Sequence, residues 1–423
     1  MCAYTIGPRD DYERWAEMVG DESFGWDNVT RIRKEKLEDF DGRVGEEYVK
    51  YAKPDMRFHG AGGAVAISYP KIWERPMTVQ LDAAKASGLG FNMDGNSGNP
   101  LGLASVPSTA KNGRRVTAAK AYLENAPSGL IIRAGSQVVK ILFDEKKAVG
   151  HLPGIGKNLQ DHLSVAFCWE QKESLVDWPQ HFADPEAVET AQAQFREDNS
   201  GPLSIFFQGL TIGFFKADEV LESGESDLLD DDVKSHLRKD TVPIWEVSCH
   251  IPPCSPDALS APEKHYLTIF VFLHNPQSRG TIVLSSEDSN ARPIIDPRFF
   301  AHPFDRRCAL AATKRTLDFV RHPLLASNIE APVDTPVSQE ENDVLEFWKD
   351  RAGSTWHPSC TVKMGTEGDE EACVTSDFKV KGVQNLRVVD LSVLPFLLSC
   401  HPMSIAYLVG EIAAEKIIHE HKL

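Results

Sequence analysis

The chain has 423 residues, 42% hydrophobic and 25% charged, which is ordinary for a globular protein and enough for two or three domains. Its 62 acidic against 45 basic side chains give a net charge of −17, which argues against nucleic acid or an anionic membrane as partner, since both need a basic face. No apolar run reaches the ~18 residues of a membrane-spanning helix. The N-terminus lacks a signal-like apolar segment and the eight cysteines form no Cys-x-x-Cys pair, so a reducing, cytoplasmic location is expected.

In chain order, residues 11–50 read as helical, with Trp15, Met18, Trp26 and Val29 as buried anchors. Residues 63–69 read as a short strand ending at Pro70, and the glycine cluster HGAGG before it reads as a turn. MTVQLDAAKASG predicts a helix ending at Gly88, and the Asn- and Gly-rich FNMDGNSGNPLGLAS predicts loop. Thr117 opens a helix that stops near Pro127, and LIIRAGSQVVKILFDEKKAVG predicts two strands around a Gly-Ser turn. The acidic run Asp218 to Asp232 reads as a solvated loop. HYLTIFVFLHN and GTIVLSS predict strands. Residues 303–323 predict an amphipathic helix with Leu310, Leu317 and Val320 on one side. NLRVVDLSVLP predicts a buried strand, and SIAYLVGEIAAEKIIHEH a final helix.

Two histidines stand out for chemistry. His357 sits in STWHPSCTVKMG and His401 in LSCHPMSIAYLVGE, each followed by a proline that disfavours helix and lets the side chain occupy a fixed loop. Cys249, His250 and Cys254 are close in sequence, but Pro252 and Pro253 and the lack of a second ligand group argue against a metal site; none is expected.

Several segments in one order carry a family resemblance: GPRDDYERWAEMVGDESFGWDNV, NGRRVTAAKAYL, SQVVKILFDEKKAVG, PGIGKNLQDHL, SRGTIVLSS, RPIIDPRFF, TWHPSCTVKMG and LRVVDLSVLPFLLSCHPMSIAYLVGE. The chain resembles the glucose-methanol-choline (GMC) oxidoreductases, especially fungal members. The resemblance implies an FAD-dependent oxidation of a CH–OH group in a small-molecule alcohol, with hydride passing to flavin N5. His357 matches the base that takes the hydroxyl proton, and His401 matches the residue that hydrogen-bonds the substrate oxygen. Val138, Asp390, Leu391, Pro402 and Met403 match cofactor contacts. A lyase or cyclase on the same scaffold and a non-catalytic remnant unable to hold FAD stay open, as does oxidase against dehydrogenase.

The sequence also departs from the family pattern. It has no strand followed by G-x-G-x-x-G, the arrangement that places a pyrophosphate on a helix N-terminus. KKAVG runs directly into HLPGIGKNLQDH where relatives carry a long intervening stretch, so the chain reads as truncated at its N-terminus with an internal deletion. The expected fold class is α/β (α+β): an incomplete Rossmann-like FAD-binding domain plus a substrate domain with a largely antiparallel sheet flanked by helices. Residues 1–55, 89–162 and 352–423 form the first, residues 56–88 and 163–351 the second, and the family's C-terminal region spans about 275–418. Without the missing units, Ile131, Val139, Leu408 and Ile412 are expected to face solvent or find other packing partners.

Overall fold

The computed structural model describes residues 3–71, 73–143, 152–175, 184–205, 210–249, 256–261 and 263–423. Helix Arg9–Val19 buries Tyr12, Trp15, Ala16 and Val19 along one stripe and ends at Gly20, whose left-handed φ of 66° few other residues adopt cheaply. Trp15 stacks on Phe24 at 4.5 Å between ring centroids, and helix Trp26–Ile32 adds Trp26, Val29 and Ile32 to the same core.

The helical run does not continue to residue 50 as its charge pattern predicts. It passes through a π-helical turn, Arg33–Leu37, into strand β1 (Glu38–Asp41), which pairs in parallel with β2 (Val65–Ser68). A buried ion pair explains the break. Arg33 Nε lies 2.6 Å from Glu38 Oε1, both side chains are fully buried, and the Tyr4 hydroxyl and Gly60 N–H also donate to Glu38. The glycine cluster closes over this pair: a Cβ on Gly60 would sit 2.3 Å from the Arg33 carbonyl oxygen, and one on Gly63 2.5 Å from Glu38 N. These glycines allow two backbones to touch. Arg33→Met should lower the unfolding free energy by about 3 kcal/mol, because Glu38 keeps its charge but loses its main partner; urea unfolding at pH 7 measures it.

The central sheet is antiparallel at every pairing. Its order is β12 (Ile329–Asp334), β6 (Leu163–Gln171), β9 (His265–Leu273), β8 (Trp245–Cys249), β7 (Leu210–Phe215) and β3 (Gly102–Val106), and β13 (Gly353–Ser354) pairs with the start of β6. β3 lies in the stretch predicted as loop. It forms because Leu103 and Ala104 are buried against β7 at the sheet edge. Two short hairpins complete the strands: β4 (Ala110–Lys111) with β5 (Arg114–Arg115), and β10 (Thr281–Val283) with β11 (Ile294–Asp296). Helix Arg75–Ser87 ends at Gly88 as predicted and packs on β3 and β7.

Helix Pro303–Val320 packs on β8 and β9 through Phe304, Cys308, Ala312, Thr316 and Phe319. Of the predicted stripe, Val320 is buried while Leu310 and Leu317 are only partly covered. The covered face is built mostly of small side chains, alanine, cysteine and threonine, with Phe304, Phe319 and Val320 near its ends.

Two predicted strands do not form among the described residues. Residues 128–143 carry neither helix nor strand, and Ile131, Val138, Val139 and Leu142 are exposed; Asp144–Gly150 lie outside the described residues. β-branched residues give local strand preference, but a hairpin without a third strand or a helix to cover it is marginal. NLRVVDLSVLP likewise forms no strand, only a single 3₁₀ turn at Leu391–Val393. The final helix, Met403–His421, does find partners: Leu408 and Ile412 are buried, and it packs on Trp26–Ile32 and the Arg33–Leu37 turn.

Candidate active site

One end of the sheet gathers histidines from strands far apart in sequence. His162 immediately precedes β6 and His274 immediately follows β9, and the β6–β9 register pairs Leu163 with Leu273, which brings the two rings to 4.2 Å between centroids. Glu246, second residue of β8, sits opposite Phe272 in the neighbouring strand. Thr355, just past β13, donates its N–H to the His162 carbonyl, which fixes the loop carrying His357. Trp356 holds a left-handed φ of 59°, and the backbone N–H of His357 then reaches Asp161 Oδ1 at 3.1 Å. His401 arrives on the loop before the last helix, its N–H bonded to Thr5 Oγ1.

The result is four imidazoles around one carboxylate. Glu246, fully buried, receives His401 Nε2 on Oε1 at 2.8 Å, His274 Nε2 on Oε2 at 2.7 Å, and the Ser248 hydroxyl on Oε1 at 2.8 Å. His162 Nδ1 lies 3.0 Å from His357 Nδ1, and the His357 and His401 rings are 5.2 Å apart. Burial alone would raise the Glu246 pKa, but His401 and His274 outweigh it and hold the carboxyl well below the usual range. Burial pushes the His162 imidazole well down, with His274 and His357 adding to the effect. Burial and then the nearby His401 push His357 down to about 3, against the opposing pull of Glu246.

His357 and His401 open on a cavity of about 870 Å³ that Ser164, Phe270, Phe272, Leu391 and Met403 also line. The structure therefore brings His357, His401, Leu391, Pro402 and Met403 to one cavity. Asp390 is not on it: this exposed side chain caps the turn Leu391–Val393 through Ser392 N. Val138 is not on it either, and stands 83% exposed in the segment without secondary structure.

The expected cofactor can be set against these residues. At its ring end the fit is good, because the space beside the two histidines is bounded by Leu391 and the first turn of Met403–His421, whose N-terminus favours negative charge. Val138, the residue expected at the adenine end, stands exposed, and among the described residues no glycine-rich strand-to-helix turn is present to cradle phosphates. Among the described residues no group of histidine, cysteine and carboxylate side chains could hold a metal ion, and no helix is long and apolar enough to cross a membrane. Cys249 is buried in β8, while His250 and Cys254 lie outside the described residues.

His162, Glu246 and His274 were not singled out as site residues from the sequence. A lone glutamate inside the apolar strand WEVSC was the available signal, because a buried carboxylate requires partners.

Comparison with known proteins agrees with this architecture. GMC oxidoreductase family models match residues 1–152 and 276–410. Oxidoreductase cicC of Emericella nidulans is 25% identical over 99% of this chain and 78% of its own length. Among solved structures, Aspergillus oryzae formate oxidase superposes with a TM-score of 0.83 at 19% identity, covering 100% of this chain and 82% of that one. A fungal aryl-alcohol oxidase gives 0.81 at 20% identity, covering 100% and 84%. The histidine-lined cavity, the antiparallel sheet and these matches together place the chain in the GMC oxidoreductase family, whose cofactor is FAD.

Proposed function

We propose that this protein oxidises the CH–OH group of an apolar, small-molecule alcohol, with His357 and His401 together handling the hydroxyl proton. The observation that carries the reading is the pairing of these two rings, 5.2 Å apart, on a cavity also lined by Val165, Phe270 and Phe272. A hydroxyl oxygen between the rings can give its proton to one and accept a hydrogen bond from the other. Acceptance requires a neutral imidazole, and burial keeps His357 neutral at physiological pH. Glu246 and the Thr5 hydroxyl hold His401 in place. Leu391, Pro402 and Met403 would hold the ring end of FAD, and Asp390 would set the turn that presents Leu391. When bound, FAD supplies the two-electron acceptor that alcohol oxidation needs.

A panel of alcohols incubated with the protein, FAD and an artificial electron acceptor tests this directly. Aldehyde or ketone should form from apolar alcohols faster than from sugars, and a preference for sugars would sink the substrate assignment. A second reading, a chain that does not retain FAD, has the exposure of Val138 in its favour. Equilibrium dialysis against FAD separates the two, since only the first reading predicts saturable binding.

A further inference from the structure

Another cavity, of about 170 Å³, shares no lining residue with the histidine cavity. Helix Arg9–Val19 contributes Arg14, the loop after β9 contributes Asn275 and Arg279, and Lys363 closes it from the C-terminal region. Three cations therefore line one small space in a chain of net charge −17, and among the described residues no carboxylate lines it. Two of the three are paired: Arg14 Nη2 lies 3.0 Å from Asp232 Oδ2, and Lys363 Nζ lies 2.8 Å from Asp369 Oδ2. Arg279 forms no ion pair among the described residues. Its Nη1 donates to the carbonyls of Pro276 and Ser278, at 2.6 and 3.1 Å, which fixes the plane of the guanidinium. Its Nε and Nη2 donate to no described residue. Asp305 is occupied instead with the N–H groups of Gln277 and Ser278. Burial pulls the Arg279 guanidinium below its usual pKa; Cys360 and Asp305 oppose the shift without cancelling it, and Arg14 adds to it. A charge drawn out of water is costly unless another charge meets it.

We propose that this cavity is a binding site for a small oxyanion, held on the Nε–Nη2 edge of Arg279 with Arg14 and Lys363 as flanking charges. That edge is the one that takes two oxygens of a carboxylate or a phosphate side by side. The two backbone carbonyls on Nη1 already hold the guanidinium in place, so little side-chain freedom is lost when the anion arrives. A lining of one sign concentrates anions against the overall charge of the protein. The volume lies below the ~300 Å³ at which sites for drug-sized ligands begin, which suits a small anion rather than a nucleotide. The same walls brace the loops of the histidine cluster. Asn275 directly follows His274, and its Nδ2 donates to Ser399 Oγ at 2.7 Å, two residues before His401. Gln160, two residues before His162, accepts the Leu397 N–H at 3.2 Å. The site does not depend on which alcohol the protein oxidises.

Isothermal titration calorimetry of the full chain, at an ionic strength held constant with sodium chloride, tests the site with two probes, sodium phosphate and sodium acetate. Saturable binding at one site per chain is the expected result. Saturation by phosphate alone assigns a tetrahedral oxyanion, and saturation by acetate alone assigns a carboxylate. No saturable heat with either probe overturns the proposal. Arg279→Lys keeps the charge but loses the two-pronged edge, and should weaken binding of the saturating probe by about tenfold or more. Because Arg279 also holds the Pro276 and Ser278 carbonyls, Lys363→Gln serves as a second variant on a separate segment and should weaken binding as well. Affinity unchanged in both variants places the anion elsewhere and overturns the proposal.

Discussion

His357→Ala is expected to slow alcohol turnover by about 10²–10⁴-fold, the usual contribution of a positioned proton acceptor. The loss should fall on kcat, because His357 is one of many side chains lining the cavity, while burial keeps its imidazole neutral and able to accept the proton. His401→Ala should slow turnover by about 10²–10³-fold, as expected for the loss of a single hydrogen bond to the reacting oxygen rather than of the proton acceptor. Steady-state kinetics of the two FAD-loaded variants at saturating alcohol decide the order. A greater loss in His401→Ala would assign the proton to His401 instead.

Glu246→Leu is expected to destabilise the fold by about 3–5 kcal/mol and to remove activity together. Leucine leaves His401, His274 and Ser248 facing a hydrocarbon side chain where they now share one carboxylate. The effect carries a pH signature. Because the folded-state pKa of Glu246 lies below its ordinary value of about 4.5, its stabilisation is fully present above that pH and is lost as pH falls below it. Urea unfolding measured between neutral pH and mild acid should therefore show stability falling more steeply with acid in the native protein than in Glu246→Leu. Parallel curves would mean that the carboxylate is not ionised in the folded protein.

The site was partly legible in the sequence, for a local reason. His357 and His401 each carry a following proline and a nearby ordered element, and the family resemblance singles them out; the structure places both on one cavity. Glu246 and His274 are 28 residues apart, and Glu246 and His401 are 155 apart. Only the strand register and the loop before the last helix bring them together, and neither is written in a local pattern. Helices with clear stops, such as Arg75–Ser87 before Gly88, were readable from periodicity and capping. The segment around Val138 was misread because β-branched residues favour a strand only where another strand or helix receives them. β1 was hidden for the opposite reason: the cause of the break after Leu37 is the buried Arg33–Glu38 pair closing on Gly60 and Gly63, which are more than twenty residues downstream. Along Pro303–Val320, hydrophobicity pointed to the leucines, whereas the buried positions are mostly alanine, cysteine and threonine together with Phe304, Phe319 and Val320.

The measurement that bears most directly on the account is the visible absorption spectrum of the purified protein after incubation with FAD and removal of free cofactor, followed without oxygen as an apolar primary alcohol such as benzyl alcohol is added. A protein-bound flavin spectrum that bleaches on addition of the alcohol is the predicted result, and it would tie the histidine-lined cavity to alcohol oxidation. A protein that stays colourless, or a bound flavin that no alcohol bleaches, would contradict it.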